Sequence, residues 1–257
     1  MDAVTVETIA PHVALVTIRR PEARNSVNRA VAADLDKAVK QIEADPDIWA
    51  AVLTGEGGVA FCAGADLKEV SAGNMDNLFT VDGQFAGFVK HPRSKVWIAA
   101  VDGFAMAGGF EIALSCDMIV ASETSIFSLP EVTRGLIAAA GGVYRLARAI
   151  PRAIALELLA TGDRLSASRA SELGLVNHVV PKGQAVTEAV ALASRICANA
   201  PIAVRESLAV ARRSFDMDDD ALFALGLEAQ DRVMTTEDFQ EGPRAFIEKR
   251  APNWVGR

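Results

Sequence analysis

Apolar and polar positions alternate across residues 4–9 and again across 13–18, with Pro11-His12 between the two runs, a pattern that predicts a β-hairpin. The period then changes. Val31, Leu35, Val39 and Ile42 recur at three- and four-residue intervals and Pro46 follows, so an amphipathic helix is expected over about 28–43. AAVLTG (50–55) and KVWIAAV (95–101) are unbroken apolar runs of strand length, and 117–121 is a third. Between them lie a turn-rich stretch through Gly64, a short helix near 66–70 and a helix over about 108–115. Strands feeding glycine-rich turns and helices predict an α/β fold. From about Gly141 onward helical patterning takes over, in segments 143–150, 153–161, 167–173, 184–198, 202–215, 220–234 and 238–249, and only 175–180 reads as a strand. No linker or low-complexity stretch divides the chain. The expected organisation is a core over 1–195 followed by a helical region over 196–257.

Composition narrows the class. Half of the 257 residues are hydrophobic and 23% are charged, as in a soluble globular protein, and the length supports a core without metal or disulfide staples. A net charge of −7 argues against a nucleic-acid partner, because binding a phosphate backbone needs clustered Lys and Arg. Cys62, Cys116 and Cys197 are far apart, with neither a CxxC nor a His pair at ligand spacing, so no disulfide framework and no metal site is expected and a reducing cytoplasm fits best. The N-terminal run has no basic stretch before it and reads as strand rather than leader, and nothing approaches the roughly 20 apolar residues of a membrane span.

Two carboxylates stand out. Glu111 is the only charged residue between Asp102 and Asp117, in GFAMAGGFEIALSC, and Glu131 is a lone charge in SIFSLPEVT. An ionised carboxylate in apolar surroundings must be paired or have its pKa raised. Taken singly, either residue also suits an exposed helix stripe or an ordinary loop. Gly108-Gly109 opens the helix that carries Glu111, where free backbone N–H groups can hold an anion, although a glycine pair serves close packing equally well. In FCAGADLK (61–68) small residues precede Asp66, a residue type suited to an N-cap. Gly55, Gly57 and Ala60 imitate a dinucleotide fingerprint, but FCAG stands where its helix should open. The P-loop and the GxSxG elbow are absent. His12, His91 and His178 fall in apparent turns or strand ends, are expected at the surface, and have no partner at motif spacing.

Read in order, RRPEARNSVN (19–28), DPDIWAAVLTGEGGVAFCAGADLKE (45–69), AAVDGFAMAGGFEIALSCDMIVAS (99–122), FSLPEVTRGL (127–136), GGVYRLARAI (141–150), ATGDRLSASRASELGLVNHVV (160–180) and EGPRAFIEKRAPNW (241–254) resemble the crotonase (enoyl-CoA hydratase/isomerase) superfamily along almost the whole chain. Each segment alone is weak; the ordered set is specific. The resemblance implies a spiral of ββα units forming two near-perpendicular sheets, with a C-terminal helical trimerisation region that gives a homotrimer or a dimer of trimers. It also implies an acyl-CoA substrate and no cofactor beyond the coenzyme A of that thioester. Carried over by position, the backbone N–H groups of Ala65 and Gly108 form an oxyanion hole, and Glu111 and Glu131 are the catalytic acid/base pair. Ala63, Ala65, Asp66, Leu67, Lys68, Gly108, Phe246 and Lys249 are the expected CoA-binding residues.

Retention of both glutamates implies enoyl-CoA hydratase activity, the syn addition of water to a 2-enoyl-CoA. A carnitinyl-CoA dehydratase-like lyase, a one-carboxylate isomerase and a non-catalytic acyl-CoA- or RNA-binding relative stay open as alternatives. One departure stands out. Where family hydratases usually read G-x-x-P-G-x-G-G, this chain has Gly135 through Gly142 with Ala138 and Ala139 for the Pro and the following Gly. If that second position requires positive φ, Ala139 carries strain, and its methyl narrows the space beside the acyl group.

Overall fold

The structure is a computed structural model and describes residues 2–257. It divides into two compact units, one ending at Ala193 and the other spanning Ser194–Arg257. In the first, the hairpin forms as expected from β1 (Val4–Ala10) and β2 (Val13–Ile18), with His12 at φ 63° in its turn. Helix α1 (Arg29–Ala44) follows, capped by the Asn28 side chain accepting the Val31 N–H at 3.0 Å, and it buries Val31, Leu35, Val39 and Ile42.

Three strand-strand-helix turns come next. The first is β3 (Ala50–Gly55), β4 (Ala60–Cys62) and α2 (Leu67–Ser71). After a small hairpin of β5 (Phe79–Thr80) and β6 (Gln84–Phe85), the second is β7 (Val96–Val101), β8 (Phe104–Met106) and α3 (Gly108–Ser115). The third is β9 (Met118–Ser122), β10 (Ile126–Ser128) and the 3-10 turn Pro130–Arg134. Helices α4 (Gly142–Ala149) and α5 (Arg152–Thr161), strand β11 (Leu165–Ser166), helix α6 (Ala167–Glu172), strand β12 (His178–Val180) and α7 (Ala185–Cys197) complete the series. The longer strand of each turn enters a six-stranded sheet ordered β1-β2-β3-β7-β9-β12, and the shorter one enters a four-stranded sheet ordered β11-β10-β8-β4. Apart from the β1/β2 and β10/β11 pairs, both sheets are parallel. Parallel strands are covered on both faces, so β3 and β7 are apolar without alternation and lie almost wholly buried.

The long strands follow from the sequence pattern, and β4 and β8 do not. β4, β8 and β10 have three residues each: β4 falls in a stretch read as turn, β8 in one given no element, and β10 in the apolar strand-turn context around Glu131, while the strand expected over 175–180 is confined to His178–Val180. The second unit contains α8 (Pro201–Ala211), α9 (Asp219–Met234) and α10 (Glu237–Glu248). Residues 212–215, expected to be helical, are an exposed turn. Inside this unit Glu241 accepts from Arg244, Arg250 and the Asn253 N–H, which ties the C-terminal segment to α10. Among the described residues no helix is long and apolar enough to cross a membrane.

Candidate active site

The short sheet sets the position of the candidate chemistry. Cys62 and Phe127 both register with Ala105, and Ser128 registers with Met106, so β4, β8 and β10 end side by side. Their following turns carry Gly64-Ala65, Ala107-Gly108 and Pro130-Glu131. The first two touch: a Cβ built on Gly64, which has φ 91°, would lie 3.0 Å from both the Gly108 N and the Met106 O. Helix α3 sits so close to β4 that a Cβ on Gly109 would lie 2.0 Å from the Cys62 O. The glycine pair therefore does serve close packing, but it also brings a helix N-terminus against the Gly64 turn.

Backbone bonding leaves donors over on both touching turns. Val27 N–H bonds to the Gly64 O and Asp66 N–H to the Val27 O, both at 2.8 Å, while Ala107 N–H bonds to the Ser128 O at 2.9 Å. Between these bonds, the N–H groups of Ala65 and Gly108 reach no backbone acceptor among the described residues. Ala107 is held at φ 52°, ψ −128°, a conformation a non-glycine residue rarely adopts. That strained residue immediately precedes Gly108, whose N lies against the Gly64 turn.

Glu111 follows Gly108 by three positions, on the same helix face. It is only 4% exposed, so it is not the surface-stripe residue its helix alone would allow. Its Oε1 accepts the Gly142 N–H at 2.8 Å. Burial pushes the carboxyl up to about 7, against the pull of the Gly142 N–H and with a further push from ionised Glu131. Glu131, half-buried in its 3-10 turn, is also raised by burial, and its Oε2 is enclosed without a hydrogen-bond partner in the protein. Both carboxyls are raised by burial, so they titrate as a pair and one proton is shared between them.

Two contributors to this site were not singled out from the sequence. Gly142 admits Glu111 because it lacks a side chain: a Cβ there would lie 3.1 Å from the Glu111 Cγ and 2.9 Å from both Ala138 and Leu129. The half-buried Arg145 donates to the Ala140 O at 2.9 Å and to the Val89 O at 2.6 Å, and its charge favours ionised Glu111. Gly141-Gly142 opens α4 as Gly108-Gly109 opens α3, and that repeated pair was the available signal. Ala139, expected to be strained if it needed positive φ, is not in the left-handed region; Gly135 (φ 67°) and Gly141 (φ 114°) turn the chain instead. With Ala140, Phe79, Phe85, Val89 and Tyr144, Ala139 lines a cavity of about 480 Å³.

The remaining expected residues fall into three groups. Ala63 and Ala65 are half-buried, while Leu67 and Lys68 are exposed at the start of α2. Asp66 is engaged: it caps α2 through the Lys68 N–H and pairs with Arg20 at 3.0 Å, and these contacts outweigh partial burial to hold its carboxyl below the usual range. Phe246 (85% exposed) and Lys249, the left-handed C-cap of α10, belong to the second unit. The histidines are less superficial than expected. His12 stacks on Trp49 at 3.6 Å, His178 lies 3.1 Å from Glu188, and the His91 side chain is only 8% exposed.

Relatives agree with this architecture. The enoyl-CoA hydratase/isomerase family profile matches residues 8–257. Mevalonyl-coenzyme A hydratase of Aspergillus fumigatus is 40% identical over 95% of this chain and 92% of its own. Enoyl-CoA hydratase EchA19 of Mycobacterium tuberculosis is 40% identical over 96% of this chain and 94% of its own. The crystal structure of an enoyl-CoA hydratase from Mycobacterium tuberculosis H37Rv superimposes with a TM-score of 0.95 at 44% identity, covering both chains completely. With its ordered motifs, its three strand-strand-helix turns and these matches in agreement, the chain belongs to the enoyl-CoA hydratase/isomerase family of the crotonase superfamily.

Proposed function

We propose that the protein is an enoyl-CoA hydratase that adds water in the syn sense across a 2-enoyl-CoA thioester. The observation that carries this reading is the pairing of two unengaged backbone donors, on touching turns, with two pKa-raised carboxyls. The thioester oxygen accepts from the Ala65 and Gly108 N–H groups, which stabilise negative charge most as the enolate forms. Glu111 takes a proton from the water that attacks the β-carbon, and Glu131 delivers one to the α-carbon. Leu67 and Lys68, exposed beside Ala65, contact the CoA portion. No cofactor takes part, since both proton transfers are made by side chains. The test is turnover of a panel of enoyl-CoA thioesters in heavy-oxygen water. Label in a 3-hydroxyacyl product supports hydration, and label-free double-bond migration would establish an isomerase instead.

The carboxyl pair also sets a pH profile. A productive pair holds one proton: below the first ionisation both groups are protonated and no base remains, and above the second both are charged and no acid remains. A bell-shaped kcat/KM is expected, falling as pH rises through about 7, where the pair loses its last shared proton. A profile flat from pH 5 to 9 would count against a shared proton.

Self-association is the expected state in solution. The second unit leaves Phe215, Phe223, Leu227, Phe246 and Ile247 more than half exposed, apolar surface of a kind that subunit contacts cover. Light scattering at micromolar concentration is expected to give three or six times the 27.2 kDa chain mass; a monomer would refute the assembly. The three free thiols suit a reducing cytoplasm.

A further inference from the structure

Away from the carboxyl pair, three ligand-type side chains meet that are far apart in sequence. Asp36 is on α1, Asp82 is in the β5–β6 turn, and His91 follows that hairpin; one ligand atom from each lies within 4.8 Å of the others. The Lys40 ammonium sits between the acids, 2.7 Å from an oxygen of each. His91 is the odd member. Its ring Nδ1 lies 3.2 Å from the Pro92 O, and a carbonyl can only accept, so Nδ1 carries a hydrogen and Nε2 is the ring atom turned inward. That Nε2 is enclosed, has no hydrogen-bond partner in the protein, and faces the Asp36 Oδ1 at 3.8 Å. The gap between the two atoms is too wide for a hydrogen bond, whichever of them carries a hydrogen. A divalent ion bonded at about 2.0 to 2.2 Å keeps its ligands as much as about 4 Å apart, so it spans this gap.

We propose that Asp36, Asp82 and His91 form a site for a zinc-like divalent transition-metal ion, which takes the place of the Lys40 ammonium between the two carboxylates. One imidazole nitrogen and two carboxylate oxygens are a borderline ligand set with room for water, suited to zinc or cobalt and poorly suited to magnesium. The Nδ1–H bond to a backbone carbonyl is the orienting contact that metal-ligating histidines characteristically make. Lys40 is half-exposed on a flexible stem and can swing into solvent when displaced. The site does not depend on the hydratase reading, but its position bears on the cavity beside the carboxyl pair. Asp36 also accepts from the Thr80 hydroxyl at 2.7 Å, and Gly87 packs so tightly on α1 that a Cβ would lie 2.2 Å from the Ala32 O. A bound ion would strap residues 79–91, which carry Phe79, Phe85 and Val89 of the cavity wall, onto α1.

Calorimetric titration of chelator-treated full-length protein with zinc chloride tests this directly. One zinc per chain is expected, with affinity lowered about tenfold or more in His91→Ala and in Asp82→Asn. Lys40→Met is expected to tighten binding, because the competing ammonium is gone. Asp82 lies half-exposed at a turn, so its variant reports on ligation even if the buried His91 variant folds poorly. Cobalt is expected to broaden the ring NMR signals of one of the three histidines, the one missing from the His91 variant. Zinc binding unchanged by Asp82→Asn, no tightening in Lys40→Met, or equal competition by magnesium would each overturn the proposal.

Discussion

Glu111→Gln is expected to lower the hydration kcat by roughly 10²- to 10⁴-fold, and Glu131→Gln by a similar factor, with far smaller changes in thioester binding. A glutamine at position 111 keeps an oxygen to accept the Gly142 N–H, so the α3–α4 contact survives while proton exchange is lost. Binding depends on the backbone donors and the CoA contacts, which neither change touches. The informative measurement pairs turnover in heavy-oxygen water with exchange of the α-proton. If Glu131→Gln removes all activity while Glu111→Gln leaves double-bond migration intact, the hydratase reading fails and a one-carboxylate isomerase replaces it. If neither change affects conversion of any thioester, the chemistry lies elsewhere.

The second large effect is expected at Gly64→Ala, which alters no ionisable group. Its Cβ would lie 3.0 Å from the Gly108 N, inside the usual contact distance, so the two turns must separate. Losing or misaligning one donor to a developing oxyanion costs on the order of 10²- to 10³-fold in kcat. Backbone strain at φ 91° contributes separately, and Gly58→Ala isolates it: Gly58 also has positive φ, at 66°, but a Cβ there meets nothing within 4 Å. Both variants are expected to lose some thermal stability, and only Gly64→Ala is expected to lose kcat beyond what melting explains. Equal kcat in the two would mean that the Gly108 N–H does not serve the reaction.

Much of this site is legible in the sequence because its chemistry conflicts with its surroundings. Glu111 stands out as one charge in an apolar helix, and the same isolation accounts for its burial and raised pKa. Asp66 was recognisable as an N-cap type and does cap α2, since capping depends only on local geometry. What escaped detection is set by distant contacts. Three-residue strands such as β8 are too short to show a period, and their pairing is decided by registration with strands some 20 to 40 residues away. His91 looks superficial between Lys90 and Pro92, and only the packing of 79–91 on α1 encloses it. The role of Gly142 requires knowing that α3 and α4 meet.

The side-by-side ends of β4, β8 and β10 also have a kinetic consequence. Each strand comes from a different turn of the chain, and parallel pairing forms only after the intervening loops have closed. Refolding is therefore governed by non-local contacts, which makes it slow compared with that of a helical bundle of similar stability. A chain in which the first two turns have docked but the third has not would hold both backbone donors and lack Glu131. During refolding, secondary structure should return first and thioester turnover should return only with the last docking event, so recovered activity serves as a clock for completion of the short sheet.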